Sequence, residues 1–238
     1  MNIRPLGLRV VMWLDFTEHL DRKYAKQNPD QESFGFVHEA LKDVKAPVFV
    51  DVGANQGLYS LAVVKGFENA SVLAIDPDPY NIAKFRKNLG LNGVSGDRVI
   101  IRAIGVGLDE GLADLDINNV GNRGGSSMVR DQRKYTGHSS NQKLRVKTLS
   151  LHMLLEEFDC WPVDMLKIDI EGMETKVLAD YFRVAPKVKF PRHMLVESNE
   201  KHDIQGDEAD VIELLIRSGY RLVGHKAPDY FFRFADQE

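Results

Sequence analysis

Two carboxylates, Asp169 and Glu171 in Lys167-Ile168-Asp169-Ile170-Glu171-Gly172, are the residues of this 238-residue chain best placed to do chemistry. They follow Met165–Ile168, an apolar run that reads as a strand. Residues two apart in extended backbone point the same way, so both can face one cleft at the sheet's carboxyl edge, where ligands bind in open α/β sheets. One could orient or deprotonate an acceptor while the other contacts a cofactor or a metal. Glu197 closes the next strand, His193–Ser198, and faces the same edge. These three acids would offer hard oxygen ligands suited to Mg²⁺, yet the expectation is that no essential metal is held. No His/Cys cluster points to zinc. A plainer reading of Glu171 is a charge at the N-terminus of the following helix. His193, at the start of its strand and the far edge, is expected to be structural, and Cys160 an inert buried thiol.

A second constellation lies earlier. Val48–Val52 is an apolar run carrying Asp51; it breaks into a turn with Gly53, Asn55 and Gly57 and resumes as a helical pattern through Leu58, Leu61 and Ala62. Glycines there permit positive φ and close approach of a ligand, and the helix N-terminus offers N–H groups to an anion. The next strand, Ser71–Ile75, ends at Asp76-Pro77, 23 residues past Gly53. In dinucleotide folds an acid about 20 residues on accepts a ribose hydroxyl. The turn is D-x-G-x-N-x-G rather than G-x-G-x-x-G. Its aspartate would repel a pyrophosphate and attract a cation such as the amino group of S-adenosylmethionine, which favours a sulfonium cofactor over NAD. A nucleotide-linked oxidoreductase and a non-catalytic S-adenosylmethionine-binding module remain the alternatives.

Strand and helix patterns alternate along most of the chain and end in an aromatic-rich hairpin, Tyr220–Gly224 with Tyr230–Phe234. Alternation predicts a parallel sheet wrapped by helices, with the hairpin as an antiparallel edge. Residues 1–45 suggest a helical extension, with one helix carrying Val10, Val11, Leu14 and Leu20 and a second carrying Phe34, Phe36, Val37 and Leu41; residues 46–238 form the main domain. The apolar N-terminal patch with Trp13 could dock on a second subunit, giving a homodimer, or on this chain's own sheet.

Between 118 and 143 periodicity stops. From Gly121 to Lys147 the bases Arg123, Arg130, Arg133, Lys134, Lys143, Arg145 and Lys147 stand against one acid, Asp131. This loop could be a solvated connection or a lid that recognises an anionic or polyhydroxylated acceptor; His138 is a candidate base if it closes. Composition limits the rest. A net charge of −4 does not suggest nucleic-acid binding, one cysteine favours a reducing, cytoplasmic setting, and no apolar run approaches the roughly 20 residues of a membrane span.

DVGANQGLYS, LKIDIEG (Leu166–Gly172) and LVES (Leu195–Ser198), in this order and spacing, resemble the FkbM-type S-adenosylmethionine-dependent methyltransferases over roughly Pro47 to Phe234. The resemblance implies a Rossmann-like, doubly wound, seven-stranded and mostly parallel sheet, S-adenosylmethionine as donor, and oxygen as the usual acceptor atom. By motif position Asp51, Gly53, Asn55 and Gly57, with Tyr59 beside them, would line the methionine end. Asp76 and Pro77 would hold the ribose end, Ala103 and Ile104 would border the adenine, and Asp169 would reach both cofactor and acceptor. An alcohol is about as weak an acid as water, near roughly 15.7, so it needs help to lose its proton.

Overall fold

The computed structural model describes residues 1–27, 29, 31–118, 121, 123–128, 142–159, 161–198 and 210–235. His138, Arg130, Arg133, Lys134, Asp131 and Cys160 lie outside the described residues.

The strands are β1 (Asn2–Ile3), β2 (Val10–Val11), β3 (Val48–Val52), β4 (Ser71–Ile75), β5 (Val99–Arg102), β6 (Gly105–Gly107), β7 (Gly111–Asp116), β8 (Lys143–Ser150), β9 (Met165–Ile168), β10 (His193–Glu197), β11 (Tyr220–Lys226) and β12 (Asp229–Phe234). The helices are α1 (His19–Lys26), α2 (Gln31–Leu41), α3 (Leu58–Gly66), α4 (Pro79–Leu91), α5 (Leu151–Glu157), α6 (Glu174–Val184) and α7 (Val211–Arg217).

Seven strands form one sheet in the order β11-β12-β10-β9-β3-β4-β5. From β5 to β10 every pairing is parallel, whereas β12 runs antiparallel to β10 and β11 antiparallel to β12. The expected doubly wound sheet with an antiparallel closing hairpin is the fold observed. Its central strands are apolar almost throughout because both faces are covered. On one face Val50, Val52, Leu73, Ile75, Leu166 and Ile168 share a core with α5, α6 and α7. On the other, Phe49, Val72, Ala74 and Met165 pack against Leu58, Leu61 and Phe85 of α3 and α4. Chain order reverses between β3 and β9, so the carboxyl ends of those strands are where a crevice must open.

Two differences from the sequence reading concern the periphery. Val10 and Val11 are extended, not helical; they pair with Ile3 and Asn2, and the first helix starts only at His19. β-Branched neighbours suit a strand, and the ladder buries Ile3 and Val10 completely. Residues 1–45 therefore carry strands as well as helices. Their Ile3, Val10, Met12, Phe34 and Leu41 belong to the same core as Phe49 and Leu61, so the apolar patch docks on this chain's own helices. Second, β6, β8 and β7 make a separate three-stranded sheet with a small core of Leu115, Ile117 and Val146. Among the described residues no helix is long and apolar enough to cross a membrane.

Candidate functional site

The crevice at the β3–β9 switch point is a cleft of about 570 Å³. Four groups build it: the turn after β3 (Gly53, Asn55), the end of β4 (Asp76, Pro77, Asp78), the turn after β9 (Asp169, Ile170, Glu171), and the segment Arg123–Met128. Ile104, Val106 and Leu115 make its apolar end.

The glycine turn is spent on itself. Gly53 N–H and Ala54 N–H both donate to Ile75 C=O at 2.9 and 3.0 Å, Gly57 N–H donates to Ala54 C=O at 2.8 Å, and Asn55 N–H donates to the Asp76 carboxylate at 2.8 Å. These four donors are thus taken within the chain, so any anion at this end must be met by the first N–H groups of α3 rather than by the turn. Gly53 has φ +76°, and a Cβ placed on it would lie 1.8 Å from the Asp169 carbonyl oxygen. Gly57, also at positive φ, is filled from behind by the Phe85 ring. It shapes the helix entry and does not line the cleft.

Asp76 is buried and accepts from Asn55 N–H, Asp78 N–H at 2.9 Å and the Asn81 amide at 3.2 Å. Burial pushes its carboxyl up to about 6, against the pull of those hydrogen bonds. Asp78 caps α4 by accepting from Tyr80 N–H at 2.9 Å and holds Arg123 through two bonds of 2.9 and 3.0 Å. The Asp-Pro-Asp-Pro spacing, an N-cap followed by proline at the first helical position, is the sequence signal that could have singled out Asp78.

The turn after β9 is held from beneath. Glu171 takes φ +56°, uncommon for a residue with a side chain. The Glu174 carboxylate accepts from Ile170 N–H at 2.7 Å and Gly172 N–H at 2.9 Å, and Ser127 Oγ donates to the Glu171 carbonyl at 2.8 Å. Glu174, not Glu171, therefore carries the helix-end role considered for Glu171. Burial raises Glu174 to about 7. It also raises Glu171 to about 8, helped by the charges of Asp169 and Glu174. A carboxyl poised near neutrality suits proton transfer.

Several expected site residues stand elsewhere. Asp51 is fully buried under the turn, where Ser60 Oγ donates to it at 2.6 Å and Lys167 Nζ lies 3.9 Å away. Burial raises its carboxyl, against the pull of Lys167 and Ser60. Lys167 Nζ is also 3.4 Å from Asp169. Burial disfavours the Lys167 charge, but Asp169 and Asp51, then Asp229 and Glu197, outweigh it and hold the ammonium's pKa above its usual value. Tyr59 stacks on Phe34 with ring centres 4.3 Å apart and lies over Lys167, away from the cleft. Ala103 is exposed just past β5, while Ile104 does line the cleft. Glu197 ends β10 opposite Asp229, one strand beyond the cleft wall. His193 bonds the Asp164 carbonyl at 3.3 Å at the far edge. Among the described residues no group of three or more His, Cys, Asp or Glu is placed to hold a metal ion.

Of the loop's bases, Arg123, Lys143 and Arg145 are paired with Asp78, Asp116 and Asp114. Arg123 thus stands at the Asp76–Asp78 end of the cleft.

The methyltransferase FkbM domain matches residues 51–222. A methyltransferase, sdnD, of Sordaria araneosa is 31% identical over 157 residues, covering 56% of this chain and 59% of its own length. The 31-O-demethyl-FK506 methyltransferase FkbM of Streptomyces tacrolimicus is 26% identical over 204 residues, covering 76% of this chain and 75% of its own. The chain thus spans under two thirds of the length of the first of these. The crystal structure of methyltransferase FkbM from Methylobacillus flagellatus shares the fold at TM-score 0.51 and 16% identity, covering 80% of this chain and 44% of that one. A putative O-methyltransferase from Klebsiella pneumoniae does so at 0.52 and 12%, covering 88% and 82%.

Proposed function

The chain belongs to the methyltransferase FkbM domain family, and on that premise we propose that it transfers a methyl group from S-adenosylmethionine to a hydroxyl of a sugar, glycan or other small polyhydroxylated molecule. One observation carries the choice of cofactor. Among the described residues, Asp76, Asp78 and Asp169 line the cleft against one guanidinium, Arg123, itself held by Asp78. Such a lining suits a cation and repels a pyrophosphate, and the N–H groups of Gly53, Ala54, Asn55 and Gly57 are occupied within the chain. A nicotinamide dinucleotide would find neither its charge nor its donors met.

When bound, S-adenosylmethionine supplies a methyl already activated on a sulfonium sulfur. The chain's task is alignment and proton removal. Asp76 and Pro77 would hold the ribose end, and Ile104 would border the adenine. The bare Gly53 lets the turn carrying Asp169 pack directly against the turn after β3. Asp169 would orient the acceptor hydroxyl and take up the proton that the oxygen loses on methylation. Glu171, whose carboxyl is raised by burial and by the charges of Asp169 and Glu174, is placed to relay that proton.

An oxygen acceptor gains support from the substrate in one relative's name, 31-O-demethyl-FK506. An anionic acceptor rests on Arg130, Arg133 and Lys134. The test is transfer of tritiated methyl to hydroxylated acceptors bearing phosphate or carboxylate, with the wild type and with Arg130→Glu/Arg133→Glu/Lys134→Glu. We expect base-stable methyl ethers and an acceptor KM raised at least tenfold in the triple variant. Label on nitrogen or carbon contradicts the hydroxyl reading, and an unmoved KM contradicts the anionic one.

A further inference from the structure

Residues Asp15 to Asp21 lie outside the matched domain, yet they are tied to three segments that border the cleft: the turn after β3, the start of α4 and the Arg123–Met128 wall. Towards the glycine turn, the buried Asp21 carboxylate accepts from Gln56 Nε2 at 2.7 Å and pairs with Lys84 of α4, also buried. Towards the start of α4, Asp15 accepts from the Tyr80 hydroxyl at 2.6 Å. Towards the cleft's outer wall, Glu18 accepts from Arg123 N–H at 2.9 Å and His19 N–H donates to the Gly121 carbonyl. The Thr17 carbonyl packs so close to Gly121 that a Cβ there would lie 2.6 Å from it. Arg123, fixed in this way, stacks on the Tyr80 ring at 4.7 Å and grips Asp78.

We propose that Asp15–Asp21 is a strap whose Glu18 and Asp15 are positioning residues of the cofactor site. They press the Arg123–Met128 wall across the mouth of the cleft, so that cofactor enters and leaves only when the strap lifts. This rests on the cofactor assignment above. The bonds are local and strong in the sense needed: a hydrogen bond to a charged group carries more than a neutral one, and each strap bond fixes a wall that otherwise has to be ordered by the ligand itself. The buried Asp21–Lys84 pair anchors one end, because breaking it would strand a buried charge. The Glu18 and Asp15 contacts are the end free to open.

The chain carries its own reporter. Of its two tryptophans, Trp13 precedes the strap and lies under Lys87, 4.0 Å from the ring centre. In the full chain with Trp161→Phe, acrylamide quenching of Trp13 reads the strap, and stopped-flow S-adenosylhomocysteine binding reads the cleft. Glu18→Ala should raise the dissociation rate about tenfold, in line with loss of one charge-assisted bond. It should also raise the association rate and make Trp13 more quenchable in the free protein. In the wild type, ligand should protect Trp13. Should Glu18→Ala fail to fold, Tyr80→Phe removes only the bond to the Asp15 carboxylate and should raise both rates about tenfold, again on the scale of one charge-assisted bond. Rates within twofold of wild type in a folded variant, or Trp13 quenching unmoved by both variant and ligand, overturn the strap alone. A wild type that does not bind S-adenosylhomocysteine overturns the cofactor assignment and the strap with it.

Discussion

Gly53→Ala is expected to destabilise the chain by about 3 kcal/mol or more and to abolish cofactor binding. Two costs add. The backbone at φ +76° is left-handed, which costs a residue with a side chain roughly 1–2 kcal/mol. The new methyl would stand 1.8 Å from the Asp169 carbonyl, and relieving such overpacking typically costs about 1–3 kcal/mol. Backbone rather than a flexible side chain is in the way, so relief must push the β9 turn, and with it Asp169 and Glu171, out of place. Gly35, in α2, has nothing within 4 Å of its Cβ position. Gly35→Ala should therefore be neutral or stabilising by about 0.5–1 kcal/mol. Urea midpoints of the two variants check the contrast. Equal midpoints would show that the turn after β3 is not packed against the turn after β9.

Asp169→Asn is expected to lower kcat by about 10²–10⁴, the range assigned to a positioned general base, while changing the S-adenosylhomocysteine affinity only a few-fold. The amide keeps the side chain's shape and one acceptor oxygen but cannot take a proton. It also removes from Lys167 Nζ the carboxylate at 3.4 Å, leaving Asp51 at 3.9 Å, so a modest loss of stability should accompany the loss of rate. Single-turnover transfer from labelled donor separates chemistry from binding. If kcat survives and only the cofactor affinity falls, Asp169 serves the cofactor and Glu171, held near neutrality by burial, becomes the base.

The parallel sheet was legible because its signal is local: apolar runs such as Val48–Val52 and Ser71–Ile75 coincide with the observed strands. Asp76 and Asp169 were legible because each directly follows a strand, and strand ends at a switch point must meet; Glu171 reaches the same cleft from the turn beyond β9, where a φ of +56° replaces the extended alternation expected for it. The side chains one step away were not legible. Asp51 shares its strand with the cleft-lining Val52, but alternation turns it to the opposite face, under α3, where Ser60 and Lys167 meet it. Arg123 read as part of a basic lid; only its tertiary partners, Asp78 and Glu18, show it to be a cleft wall. The segment from Asp15 to Asp21 has no motif, and its role emerges only from contacts with residues as far along the chain as Arg123. Val10 and Val11 satisfied a helical spacing that their pairing with Ile3 and Asn2 overrode.

The most direct test of the central claim is calorimetric titration of the full chain with S-adenosylhomocysteine, NAD⁺ and NADP⁺, for the wild type and Asp76→Ala. The account predicts micromolar binding of S-adenosylhomocysteine, its loss in Asp76→Ala, and no binding of either nicotinamide. The ionised Asp76 carboxylate is the form that accepts ribose hydroxyls, and burial holds its pKa at about 6. Affinity should therefore be level at neutral pH and fall as pH drops below about 6, by about tenfold for each further unit. Nicotinamide binding without S-adenosylhomocysteine binding, or an affinity indifferent to Asp76→Ala, would contradict the assignment of this cleft to a sulfonium cofactor.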